Sequence, residues 1–112
     1  MNEVVVLDGA VLDDLTGHIG AEAVRAIIEM FVGECRELAA TIGTAASPTV
    51  AGRAAHSLKS SAGQLGAVSL AAAALEVETA AAADAAALPQ LIAGLLDCAA
   101  RTEFALAARL AG

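Results

Sequence analysis

Residues 21–43 read AEAVRAIIEMFVGECRELAATIG. Apolar side chains recur at Val24, Ile27, Ile28, Phe31, Cys35, Leu38 and Ile42, in steps of three and four. Steps of that size draw one stripe along an α-helix, whereas a strand would alternate. Glu22, Arg25, Glu29, Arg36 and Glu37 fall mostly off the stripe, and Met30 sits at its border. A helix this long with one apolar side must bury that side against partners. The remaining sequence therefore has to supply further helices.

Upstream, LDGAVLDDLTGHIG holds a short helix with Asp8 as its cap, Leu7 and Leu12 spaced as a hydrophobic staple, and Gly17 and Gly20 bracketing its end. Downstream, Gly43 and TAASPT form a turn in which Ser47 caps and Pro48 takes the first helical position. A third helix is predicted from Pro48 to Leu65, stopped by Gly66, and a fourth from Val68 to Ala83 carrying Leu70, Ala71, Ala74, Leu75 and Val77. Asp84 lies in the next break. Leu88-Pro89 opens the last helix, with its stripe at Leu88, Leu91, Ile92, Leu95, Ala99, Thr102, Leu106 and Leu110. Short connections favour antiparallel neighbours. The expected fold is all-α: an up-and-down antiparallel four-helix bundle with a short extra N-terminal helix, forming a single domain over residues 1–112.

Composition agrees with that reading. Alanine, the best helix former, fills more than a quarter of the chain, while Trp and Tyr are absent. The core must then be Leu, Ile, Val and Ala. A net charge of −7 argues against nucleic acid, which needs a basic surface, and against an anionic membrane. The hydrophobic fraction of 58% is inflated by alanine, and no stretch approaches the roughly 20 apolar residues of a spanning helix. The opening MNEVVVLDGAVLDDL lacks the basic start of a secretory signal. Cys35 and Cys98 have no metal-like spacing and read as small buried residues of a reduced compartment. A cytoplasmic monomer is expected.

The third helix carries the residues that invite chemistry. RAAHSLKSSAGQLGA, residues 53–67, contains the chain's sole lysine, Lys59, three places after His56, one of only two histidines. On a helical wheel Ala51, Ala54, Leu58, Ala62 and Leu65 gather opposite His56 and supply the core stripe. Thr49, Gly52, Arg53, Lys59, Ser60 and Gly63 fall within roughly 60° of it. The imidazole should therefore face solvent in mid-helix, with both nearby cations on its face. Gly52 and Gly63 each cost about 1 kcal/mol against alanine inside a helix. In a chain that uses alanine freely, such bare positions suit the close approach of another molecule. The plain alternative is an incidental surface histidine with a solvated lysine beside it. His18, between glycines in LTGHIG, reads as a polar turn residue with no such neighbours.

The stretch HSLKSSAGQLGA resembles the signature of histidine-phosphotransfer (HPt) domains of bacterial multistep phosphorelays, His-x-Leu-Lys-Gly followed by small residues and a later Gly. His56, Leu58, Lys59 and Gly66 match, as do Ser61, Ala62 and Leu65; Ser60 stands where the family usually has Gly. LD…L before a Gly, the long helix with central Phe31, and LGAVSLAAAALE extend the resemblance over nearly the whole chain. By that resemblance His56 carries a phosphoryl group, taken from the aspartyl phosphate of one receiver domain and passed to another. The partners implied are receiver domains of response regulators or hybrid histidine kinases. Lys59, and more weakly Arg53, would stabilise the phosphoryl oxygens. Gly52, Ser60 and Gly63 would give the partner clearance, and Gly66 would end the helix. Met30, Leu12 and Leu15 are candidates for docking. No cofactor is expected in the chain, because no acidic cluster adjoins His56 in the sequence; Mg²⁺ would belong to the receiver.

Other classes fit less well. A histidine kinase needs a nucleotide site, and neither a P-loop nor kinase glycine boxes occur; ATP alone should label nothing. A metal site needs convergent ligands, and His18 and His56 lack i, i+4 spacing. The remaining alternative is a non-catalytic helical adaptor whose His56 is incidental.

Overall fold

The computed structural model describes residues 6–111, so residues 1–5 of the opening stretch read for a signal lie outside the described residues. Five helices follow one another: α1 (Gly9–Ile19), α2 (Ala21–Gly43), α3 (Pro48–Gln64), α4 (Val68–Ala82) and α5 (Leu88–Ala111). The predicted elements are all present, with ends shifted by about a residue, as fraying ends allow. Helix α3 packs on α4, α4 on α5, α5 on α2 and α2 on α3, which closes an antiparallel four-helix bundle with α1 laid against α2.

The local signals work as their chemistry requires. Asp8 accepts the Ala10 N–H at the start of α1, and Ser47 accepts the Val50 N–H at the start of α3. At the end of α3 the Ala67 N–H donates to Ala62 O (2.9 Å) and the Gly66 N–H to Gly63 O (3.3 Å). This Schellman closure needs a left-handed residue, and Gly66 supplies it with φ of 74°. A Cβ there would also lie 2.9 Å from Asp8 O, because the Asp8 N–H donates to Gly66 O and docks α1 on the α3–α4 turn. Asp84, φ 49°, makes the matching reversal after α4.

Leu12, Ile28, Ile42, Leu58, Leu70, Leu95 and Leu106 are fully buried at the bundle centre. Each contributes about 1.5–3 kcal/mol of apolar burial. Ala51, Ala55, Ala62 and Ala74 are buried between α3 and its neighbours, where small side chains let backbones approach. Among the described residues no helix is long and apolar enough to cross a membrane. Cys35 is buried, Cys98 half-buried, and both are free. Burial is the largest cause pushing the Cys35 thiol up to about 11.

Three expectations are corrected. His18, expected in a turn, lies inside α1, where its Nδ1 donates to Asp14 O (2.8 Å); the helix ends at Ile19, between Gly17 and Gly20 as expected, with Gly20 at φ of 88°. Leu75 is 49% exposed, because the buried line of α4 runs through Leu70, Ala74, Val77, Ala80 and Ala81 instead. Leu12 is fully buried core, so it is unable to serve as an exposed docking residue.

Candidate functional site

His56 sits near the middle of α3 with 61% of its side chain exposed, on the face opposite Ala54, Leu58 and Ala62. The wheel thus places the imidazole correctly. What the wheel misses is α4 alongside. Glu78 projects from α4, and its Oε2 lies 2.6 Å from His56 Nδ1, while its Oε1 accepts from Lys59 Nζ at 2.7 Å. Only one acid is involved, but it joins the residues that the motif singled out.

An ionised carboxylate can only accept, so the 2.6 Å contact puts the proton on Nδ1. Nε2 of the neutral ring is then the unprotonated nitrogen, with its lone pair free. Glu78 holds both ring orientation and tautomer, as a carboxylate does for a metal-bound or catalytic histidine. The Lys59 hydrogen bond first, and the His56 hydrogen bond second, hold the Glu78 carboxyl below its ordinary value. Glu78 is therefore ionised at neutral pH and suited to this role.

Lys59 is accordingly half-buried and paired, rather than a free solvated charge. Arg53, one turn before His56, is exposed and makes no hydrogen bond or ion pair with a described residue. Both arginine and imidazole line an open groove of about 580 Å³ between α3 and α4, which Thr49, Gly52, Glu78 and Ala81 also line.

The bare positions divide. A Cβ on Gly63 would meet nothing within 4 Å, and Gly63 and Ser60 are both exposed. Gly52 differs, because a Cβ there would lie 3.2 Å from the Ala81 Cβ. Its smallness serves the close approach of α4 to α3, which is a correction to its assignment as partner clearance. Ser61 also has internal work: its hydroxyl donates to Glu34 Oε1 of α2 (2.7 Å).

Of the candidate docking residues, Met30 is 75% exposed, well outside the stripe it was placed beside. Leu15 is only half-buried and packs against the core. Among the described residues no group of three or more His, Cys, Asp or Glu side chains converges as a metal site.

Comparison with known proteins gives three results. The family model described as "Hpt domain" matches residues 26–108. No curated protein matches the chain. Among solved structures, the crystal structure of histidine-containing phosphotransfer protein B (HptB) from Pseudomonas aeruginosa PAO1 is similar, with a TM-score of 0.84 at 22% identity over 96% of each chain. That likeness bears on the fold.

Proposed function

The chain belongs to the Hpt domain family, and we propose that within it His56 is the residue that carries the phosphoryl group. Members of this family are histidine phosphotransfer proteins, phosphocarriers rather than kinases, and they work in phosphorelays with receiver domains. For this chain, Nε2 of His56 attacks the phosphorus of a receiver's aspartyl phosphate. An N–P bond forms, the P–O bond to the aspartate breaks, and the aspartate leaves as a carboxylate. The Nδ1 proton stays on the ring, whose new positive charge faces the Glu78 carboxylate. Return transfer to a second receiver runs the same steps backwards.

The observation that carries this reading is the 2.6 Å Nδ1–Glu78 hydrogen bond on an otherwise exposed imidazole. An incidental surface histidine has no need of a carboxylate, itself held by the sole lysine, to fix its tautomer. Lys59 keeps Glu78 in place and adds positive charge on the flank of the site. Ser60 and Gly63 leave the outer face low enough for a receiver to approach, and Met30 offers it an apolar contact. Mg²⁺ enters with the receiver, whose acidic pocket holds it.

The test is incubation with a receiver phosphorylated beforehand. The chain should acquire acid-labile, alkali-stable phosphate, and His56→Gln should fold but stay unlabelled. Robust labelling of that variant would remove His56 from the role, and an unlabelled parent would favour the adaptor reading.

A further inference from the structure

The chain's cations are few, and nearly all are engaged. Arg36 pairs with Glu103, Arg101 with Asp97, Arg109 with Asp13 and Lys59 with Glu78, while Arg25 donates to Leu110 O. Arg53 alone among the Lys and Arg side chains makes no hydrogen bond or ion pair with a described residue. In a chain of net charge −7, an acidic partner would be easy to provide. The one free guanidinium instead lines the groove that His56 lines.

The direction of the imidazole strengthens the connection. Side chains on a helix lean toward its N-terminus, so the surface that His56 covers lies over the turn holding Gly52 and Arg53. Gly52, at i−4, has no side chain to fill that space. On the wheel Gly52 and Lys59 fall on the flank of His56 facing α4, and Arg53 falls on the other flank. Because Nδ1 is turned to Glu78 of α4, Nε2 lies at the edge of the ring away from that contact. Glu78 already accepts at both oxygens, and Lys59 is one of its donors.

We propose that Arg53, rather than Lys59, is the residue that binds the oxygens of the phosphoryl group on His56, in the groove on the N-terminal side of the imidazole. This rests on the phosphotransfer reading above. Guanidinium is a planar fork that meets two phosphoryl oxygens at once, which an ammonium already held by Glu78 matches poorly. Lys59 acts through Glu78 and is a positioning residue.

The experiment labels the full chain with phosphoramidate, a small donor that brings no receiver surface, and compares the parent with Arg53→Ala, Arg53→Lys and Lys59→Ala. Melting curves check that each variant folds. Arg53→Ala should label about tenfold more slowly or worse, because both charge-assisted hydrogen bonds of the fork are lost, and Arg53→Lys, which restores one, should recover part of the rate. On phosphorylation the Arg53 Nε–H resonance of the parent should shift, while those of Arg25 and Arg101 stay in place. If Arg53→Ala labels within twofold of the parent and the Arg53 resonance stays still, the assignment of Arg53 is overturned while the phosphotransfer reading survives. If neither phosphoramidate nor a phosphorylated receiver labels the parent at His56, both fall together.

Discussion

Gly52→Ala tests how the packing of α4 governs the site, and Gly63→Ala is its internal control. Both glycines lie in α3 within two turns of His56, and in an open helix each change would gain up to ~1 kcal/mol of helix propensity. At position 63 the new methyl meets nothing within 4 Å, so that gain is kept, reduced by its place in the last turn. At position 52 the new Cβ would lie 3.2 Å from the Ala81 Cβ. Carbon atoms in contact prefer about 3.5–4.0 Å, so α4 must retreat by roughly half an ångström. Overpacking of this kind costs ~1–3 kcal/mol, which offsets or exceeds the propensity gain. Gly52→Ala should therefore be less stable than Gly63→Ala by about 1–3 kcal/mol. Urea denaturation of the parent and both variants measures the gap directly. Ala81 lies one turn beyond Glu78 on α4, so the same retreat draws the carboxylate away from His56. The imidazole ¹⁵N shifts of Gly52→Ala should then move from the Nδ1–H pattern toward the mixture of a free histidine. A Gly52→Ala variant as stable as Gly63→Ala, with unchanged imidazole shifts, would refute the packing account.

Three further outcomes follow from the placement of particular side chains. Glu78 has its pKa lowered below the ordinary value of 4.5 by Lys59 and His56, so its contribution to stability is complete above that value and is lost as pH falls through the lower folded-state value. The stability gap between the parent and Glu78→Gln should shrink on acidification, and a gap independent of pH would show that the carboxylate charge is unused; transfer by the variant should also be slower at neutral pH. Leu12→Ala should cost about 2–5 kcal/mol in denaturation, as a core truncation does. Met30→Ala should stay within ~0.5 kcal/mol of the parent yet weaken receiver binding in a titration; equal losses of stability in the two would contradict their opposite placement.

Side chains of contrasting polarity make the buried face of a helix legible in the sequence, and alanine erases that contrast. In α2 the apolar steps select one face, and Val24, Ile28, Phe31, Cys35 and Ile42 are buried as that face requires. Caps are legible because their chemistry is local: Asp8 and Ser47 each bond within three residues along the chain. In α4 alanines occupy so many positions that several rotations about its axis bury a similar set. The sequence therefore places Leu75 inward, whereas the helix turns it out. The same ambiguity hides Glu78, whose place beside His56 depends on the rotation of α4 and on an approach across 22 residues of sequence. The α3 wheel gives the exposed face of His56, but it carries no record of the neighbouring helix. For that reason Gly52 reads as clearance for a partner, and the carboxylate that Lys59 meets on α4 goes unseen. A usable signal is present: Glu76 and Glu78 are the only acids of α4, so a cation of α3 that faces α4 has only these two to meet there.

If His56 accepts phosphate at Nε2 while Glu78 holds Nδ1–H, both features are visible in a single spectrum. The most direct measurement is ¹⁵N–³¹P correlation NMR of the chain, labelled at histidine and phosphorylated by a receiver. One phosphorylated imidazole is expected, that of His56, with phosphorus coupled to Nε2 and the proton retained on Nδ1. Phosphorus coupled to Nδ1 of His56, or found on His18 or a carboxylate, would contradict it.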